Sequence, residues 1–548
     1  MQWYQRRAWR IIGLALLTAS LLMAVSATDI YKQISDSIRL YHEVYRQVIL
    51  NYADQINASE LTDLNIRNML SELDPYTVFL TEEEKEPLDV LSQGEYGGVG
   101  LRISIRKDTV TVISSMDGSP ARKANIFPGD QILKVDTAFT KGLNLDKTAR
   151  LMRGKPGTKV DLLIRRPGFS VDKTYSLIRD KIQVNNISYA GFLEDGIGYI
   201  RLTEFSKGAT SEVKKTIAKL ENENSLQALI LDLRGNPGGL LEEALGIAEL
   251  FTEIGDTLLF TRGRTDNANR VFVARNRPML DRQTKIAVLI DGGSASASEI
   301  VAGIIQDVDR GIVVGSPSFG KGLVQTVFRV DRQYSVKITT AKYYIPSGRL
   351  IQKPDYIKNS KLLASAGRED SIFYSRNRRL LRSNGGITPD VTVTGESLPE
   401  YVVELWRQNA FFSFAMKYKT EQYRVPARVD EKVLARFQQY LKETGFTYTD
   451  RQEKSLREVE SQLKQDARFQ NLPIAFDQYY ARIDSLRGQE FDKNIEYIKQ
   501  GLESEFGTLE DGIAGRVKAE LRFDKVVART RTLLKNDVVY GNTLGYSH

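Results

Sequence analysis

Two short segments carry residue types that could do chemistry. DGGSASASEI, Asp291–Ile300, places Ser296 just ahead of an apolar helical run, and GSPSFGKGLVQTVF, Gly315–Phe328, sets Lys321 between two glycines with Gln325 in the strand-like run that follows. A serine at the start of a helix has backbone N–H groups and the positive end of the dipole beside it, which suit a developing oxyanion. A lysine can act as a general base when burial or a neighbouring dipole leaves its amine neutral near working pH. Gly320 and Gly322 would let the chain pack closely around Lys321. A serine nucleophile with a lysine base needs no histidine. The composition fits that economy: the chain has no Cys and only two His, His42 and His548. The first absence removes disulfides, thiolate nucleophiles and Cys-ligated zinc or iron–sulfur sites; the second leaves almost nothing for a Ser-His-Asp triad or a multi-His metal site.

Each of these residues also has an ordinary reading. Ser296-Ala297-Ser298-Glu299 fits a capping box, S-x-x-E, and on this segment alone the cap is the stronger reading. Gly315–Lys321 nearly matches the phosphate-binding pattern G-x-x-x-x-G-K. Gly322, however, stands where Ser or Thr should bind magnesium, and Leu323–Phe328 reads as a strand where that loop requires a helix. Lys321 by itself could be a surface lysine. On an extended strand Lys321 and Gln325 would share a face, because side chains alternate with period two.

The elements that must hold these residues form an α/β pattern. Strands are expected at Gly198–Leu202, Ala228–Leu233, Ile286–Ile290, Ile312–Val314, Leu323–Val330 and Ser335–Tyr344, with helices at Ser211–Leu220, Leu240–Phe251 and Ser298–Val308. Ahead of this core, Tyr31–Leu73 repeats apolar residues at three-and-four spacing (Ile34, Ile38, Tyr41, Val44, Val48) and reads as a helical pair stopped by Leu73-Asp74-Pro75. Between the two lies a Gly-rich β module, with strands expected at Leu101–Arg106, Val110–Ile113, Gln131–Val135 and Val160–Arg165. From Pro399 to Asp537 the pattern is charged and helical, with runs such as Val433–Leu441 and Phe491–Leu502 and breaks at Gly445, Pro473 and Gly507. A plain helical appendage explains it as well as a functional one.

With 548 residues, 41% apolar and 27% charged, the chain suits several globular domains rather than a disordered or fibrous one. The net charge of +8 is spread along the chain, which argues against a nucleic-acid partner. Arg6, Arg7 and Arg10 precede the uncharged run Ile11–Ala27, which closes on Val25-Ser26-Ala27. This is the pattern of an export signal with a cleavage site; a retained membrane anchor is the competing reading, since about twenty residues span a bilayer.

GGSASASEI followed by GKGLVQ resembles the carboxyl-terminal processing, or tail-specific, serine proteases. The resemblance implies that Ser296 is the nucleophile, Lys321 the base and Gln325 the residue that orients the lysine. LDLRGNPGG, Leu231–Gly239, resembles the loop whose N–H completes the oxyanion hole with that of Ala297; the donor is assigned to Gly238, with Gly239 as the alternative. LDPYTVFLTEEE (Leu73–Glu84), AKYYIPSGRLIQ (Ala341–Gln352) and GGITPDV (Gly385–Val391) are similar as well. The region after Pro399 is longer than a minimal member requires.

The β module then resembles a PDZ domain. Gly98-Val99-Gly100-Leu101 is similar to its carboxylate-binding loop, although the sequence GGVG alone is merely a turn. Leu101–Arg106 would receive a peptide as an added strand, and Asp146–Arg153 would form the opposite wall, with Leu145, Ala149 and Met152 offering an apolar pocket. The expected organisation is a multidomain α+β chain: a signal or anchor (1–27), a helical region (28–90), a PDZ domain (91–180), a protease core of the crotonase or Clp-protease type (181–397) and a helical C-terminal domain (398–548). The implied function is an exported endopeptidase of the cell envelope, periplasmic or anchored in the inner membrane. It would recognise protein C-termini through the PDZ domain and cleave through an acyl-enzyme, with no cofactor and no metal. The resemblance leaves a homodimer open. The rival is a catalytically silent PDZ adaptor of the envelope; the lack of a usable histidine argues strongly against a chymotrypsin-like PDZ protease.

Overall fold

In the computed structural model the expected N-terminal pair is formed by helices at residues 29–51 and Ala58–Ser71. The structure describes residues 29–106, 108–194, 196–353, 372–382, 385–395, 397–422, 424–466 and 476–546. The expected signal or anchor over 1–27 and the break at Pro473 lie outside them. Asn57 caps the second helix by accepting from the N–H groups of Ser59 and Glu60. The Asp74 carboxylate closes the turn that follows, accepting from Tyr76 and Thr77 N–H at 2.8 and 2.9 Å. These residues belong to one compact unit, ending at Phe79; the chain from Leu80 onward forms a second. Among the described residues no helix is long and apolar enough to cross a membrane.

Within the second unit, a mainly parallel six-stranded sheet forms the core. Its order is Ile187–Phe192, Ile197–Leu202, Ala228–Asp232, Lys285–Ile290, Ile312–Gly315 and Val391–Thr392. Only the first pair is antiparallel. The central strands are continuous apolar runs because both faces of a parallel sheet are covered. One face packs against the helices Ala209–Glu223, Leu241–Glu249 and Ala297–Asp307. The last is buried along its whole length, including its polar residues Ser298, Glu299, Gln306 and Asp307.

The opposite face is covered by the end of the chain: Val526, Val527, Leu533, Leu534, Tyr540 and Leu544 pack on Tyr199, Ile230, Ala287 and Val314. The last helices, Lys525–Lys535 and Asp537–Thr543, therefore form a layer of the core and not an appendage, across the boundary expected at 397/398. The other helical residues build their own aromatic core around Phe411, Phe414, Phe437 and Phe506. The break expected at Gly507 falls instead at Asp511-Gly512, where φ is −135° and +58°. Gly507 is needed for close approach: a Cβ there would lie 2.4 Å from the Gly515 carbonyl oxygen.

The β module has the sheet order Leu101–Arg106, Thr109–Ser115, Gln131–Val135, Lys159–Arg165 and Lys173–Ile178, closed below by the pair Glu95–Gly98 and Asp180–Gln183. It rests on the helical region through Arg106, whose guanidinium lies 4.2 Å from the centre of the Phe412 ring and donates to Asn409.

Candidate active site

Three loops leave the carboxyl ends of three adjacent parallel strands, the usual place for a site in an open α/β sheet. After Ala228–Asp232 comes the loop Leu233–Leu240, after Lys285–Ile290 the loop Asp291–Ser296, and after Ile312–Gly315 the loop Ser316–Gly322. Together they bring Ser296, Ala297, Lys321, Gln325, Gly238 and Gly239 to one cavity of about 850 Å³. Its remaining wall is largely apolar, with Leu241, Leu245, Phe272, Ile300 and Tyr343.

Ser296 sits at φ 53°, ψ −112°, immediately before the helix Ala297–Asp307. A positive φ in a non-glycine residue is strained and must be held by its surroundings. Glu299 does so: it is buried, and its Oε2 accepts from Ser296 N–H at 2.8 Å, the carboxylate arm of the expected capping box. The same carboxylate accepts from Lys321 N–H at 2.9 Å, from Gly320 N–H at 2.7 Å and from the Ser318 hydroxyl at 2.6 Å. Burial pushes its pKa above the ordinary value, and these four donors act against the shift. Glu299 thus joins the serine loop to the lysine loop, a role the capping motif does not suggest. The available signal is an acid directly ahead of the apolar run Ile300–Ile305, since a buried carboxylate must be fully hydrogen-bonded.

Lys321 is followed by the strand Leu323–Arg329, so the phosphate-loop alternative fails as expected. The Tyr343 hydroxyl donates to the Lys321 carbonyl. Lys321 and Gln325 line the same cavity. In the pairing with Tyr334–Tyr344 the register shifts at Val324/Gln325, where Thr340 of the partner strand is the extra residue. Gln325 Nε2 is buried and has no hydrogen-bond partner, leaving an unspent donor in the cavity wall.

Gly238 and Gly239 both line the cavity. Gly238 packs against the serine loop, where a Cβ would lie 2.8 Å from Ala297 N and 2.9 Å from Ser296 Cβ. Its own N–H, however, donates to Asn236 Oδ1 at 2.9 Å and is already engaged. The alternative, Gly239, directly follows it and lines the cavity with Ala297.

In the β module, Val99 is buried in the core, and the carbonyls of Val99 and Gly100 accept from Ala121 and Met116 N–H at 3.0 and 2.9 Å. Gly98 ends the strand Glu95–Gly98 and Leu101 begins the strand Leu101–Arg106. Met152 belongs to the module's core, and Leu145 is exposed. Ala149 lines a cavity of about 690 Å³ whose walls are charged: Arg102, Arg150 and Arg153 face Glu83, Glu86 and Glu204. Arg153 pairs with Glu86 at 3.1 Å. Glu83 and Glu86 come from the helix Glu82–Gln93, which also walls the active-site cavity through Lys85, Leu88 and Leu91.

The family model described as peptidase family S41 matches residues 196–358, a PDZ-domain model matches 111–166, and the C-terminal helical domain of probable PDZ-proteases matches 401–534. A carboxy-terminal-processing protease of Bartonella bacilliformis is 35% identical over 350 residues, covering 62% of this chain and 79% of its own length. A carboxyl-terminal-processing protease of Synechocystis sp. is 35% identical over 389 residues, covering 66% of this chain and 90% of its own. Among solved structures, a photosystem II D1 C-terminal processing protease shares 28% identity over 66% of this chain and 94% of that one, with a TM-score of 0.35. The chain belongs to the carboxy-terminal-processing proteases, serine-type peptidases of family S41 that carry a PDZ domain.

Proposed function

We propose that Ser296 and Lys321 form the catalytic dyad of this protease and that the reaction runs through an acyl-enzyme. Neutral Lys321 takes the Ser296 hydroxyl proton as Oγ attacks the scissile carbonyl carbon, and Gln325 orients the amine. The N–H groups of Ala297 and Gly239 stabilise the oxyanion. Collapse expels the amine, which takes the proton from Lys321. Water, deprotonated by the same lysine, then attacks the Ser296 ester; as the C–Oγ bond breaks, Lys321 returns the proton to Oγ, leaving a new C-terminal carboxyl group and the free enzyme.

What supports this reading is the shared cavity: three loops from adjacent strands converge on it, and each contributes to the dyad or to the oxyanion site. The strain at Ser296 also favours it over the silent adaptor, since a plain helix cap has no need of a positive φ. In the same reading the PDZ domain takes the C-terminal tail of a protein substrate. The run Ile11–Ala27 directs export to the cell envelope, where the enzyme is either periplasmic or anchored in the inner membrane.

The test compares wild type, Ser296→Ala and Lys321→Ala on an unfolded protein with defined C-terminal tails, reading products by mass spectrometry and folding by thermal melt. Cleavage by wild type alone, with all three folded, supports the dyad. Cleavage by either folded variant removes it.

A further inference from the structure

The loop that carries Gly238 and Gly239 is tethered from outside the α/β core. Arg234 opens the loop, and its guanidinium grips Asp232: Nε lies 2.9 Å from Oδ1 and Nη2 lies 2.6 Å from Oδ2. Asp232 is fully buried and is also held by the Tyr199 hydroxyl at 2.6 Å. The same Nη2 donates to Asp524 Oδ2 at 2.7 Å. Asp524 caps the helix Lys525–Lys535, its other oxygen accepting from Val527 N–H at 3.0 Å, and that helix packs on the core sheet. Burial opposes the charge on Arg234, but Asp232 and Asp524 outweigh it and hold the guanidinium well above its ordinary pKa.

From Arg234 onward the loop has little freedom. Gly235 N–H donates to Asp291 Oδ1 at 2.8 Å, and that oxygen also accepts from Gly293 N–H at 2.9 Å. The Asn236 carbonyl accepts from Ala295 N–H at 3.0 Å and from the Ser298 hydroxyl at 2.9 Å. A shift of Arg234 is therefore passed along a hydrogen-bonded loop to the glycines beside Ser296. Asp232 already fixes the guanidinium plane through two hydrogen bonds, and the third bond, to Asp524, ties that plane to the helix Lys525–Lys535.

We infer that Asp524 is a positioning residue: through Arg234 it sets the loop that presents Gly239 to the oxyanion. The C-terminal helical region then contributes to the reaction although Asp524 does not line the active-site cavity. This rests on the Ser296 reading above.

Asp524→Asn removes the carboxylate but keeps a good N-cap, Asp524→Glu restores a carboxylate, and Asp430→Asn alters an equivalent cap, on the helix Glu431–Glu443. For each, kcat and KM on one peptide, the rate of Ser296 labelling by a fluorophosphonate, and the melting temperature are measured. Misplacing an oxyanion donor should cost less than deleting one, so D524N is expected to lower kcat about 10-fold with KM within about two-fold of wild type. Labelling should slow in proportion, D524E should recover both rates, and D430N should match wild type. An unchanged kcat in D524N, an equal loss in D430N, or a D524N protein unfolded at the assay temperature overturns the proposal. Ser296→Ala run alongside separates the two ideas: if it still cleaves, the Ser296 assignment falls, whereas an unaltered D524N beside an inactive S296A defeats only the role of Asp524.

Discussion

The backbone N–H groups of Ser296 and Lys321 share one acceptor, Oε2 of Glu299, at 2.8 and 2.9 Å. One buried carboxylate therefore fixes the relative position of the serine and lysine backbones. Glu299→Gln keeps the shape but turns an amide NH₂ toward two of the four donors. Each donor left facing it costs about 1–3 kcal/mol. We expect kcat/KM to fall by about 100-fold or more and the melting temperature to drop. Normal activity in folded E299Q would show that the bridge is dispensable.

A lysine base gives a definite pH profile. The protonated amine cannot accept a proton, so kcat/KM is expected to rise with pH as Lys321 deprotonates. Lys321→Arg keeps the charge but cannot act as a base, and its rate should be about 10²–10⁴-fold lower across the accessible range. Initial rates across a pH series of buffers at constant ionic strength check both; a flat wild-type profile would exclude a titrating lysine.

Glu505 concerns stability rather than catalysis. Burial pushes its carboxyl above the ordinary value; Arg106 and Arg516 act against the shift and Glu520 adds to it. Neither carboxylate oxygen has a hydrogen bond. A carboxyl with a raised folded-state pKa favours the fold when protonated, and that contribution is lost as pH rises through the folded value. Glu505→Gln should therefore melt close to wild type near pH 4 and increasingly above it as pH climbs past the ordinary carboxyl range. Thermal melts at matched pH give the difference, and a gap that narrows with rising pH would reverse the sign.

The docking of the chain end can be weighed at Tyr540. Its hydroxyl donates to the Ile286 carbonyl at 3.1 Å and accepts from Ile286 N–H at 2.9 Å, inside the core. Tyr540→Phe leaves both groups buried without that partner, at a cost of about 1–3 kcal/mol. Denaturant unfolding should show the loss as a lower midpoint at unchanged slope; no change would mean that this contact contributes nothing net.

The central strands were legible in the sequence because Ala228–Asp232, Lys285–Ile290 and Ile312–Gly315 are unbroken apolar runs between turn residues, as a sheet covered on both faces demands. Ile187–Phe192 is half-buried and lacks such a run, and in Thr257–Gly263 the run is only Leu258–Phe260. Ser296, Lys321 and Gln325 stand in recognisable motifs and line one cavity, but the register shift at Val324/Gln325 arises only from the pairing with Tyr334–Tyr344. The choice between Gly238 and Gly239 turned on the Asn236 side chain, and local spacing does not record which N–H it engages. The pair Arg234–Asp524, 290 positions apart, has no local signature at all. The same holds for the C-terminal helices: their amphipathic pattern calls for a partner surface but does not say that it is the core sheet.

The most direct measurement is an acid quench of the wild-type enzyme during turnover of a slowly hydrolysed ester or peptide, followed by intact-mass and peptide mapping. The expected result is a single acyl adduct on the peptide containing Ser296, absent from Ser296→Ala and formed far more slowly in Lys321→Ala. An adduct on another residue, or steady product formation with no adduct in any quench, would contradict the Ser296 acyl-enzyme.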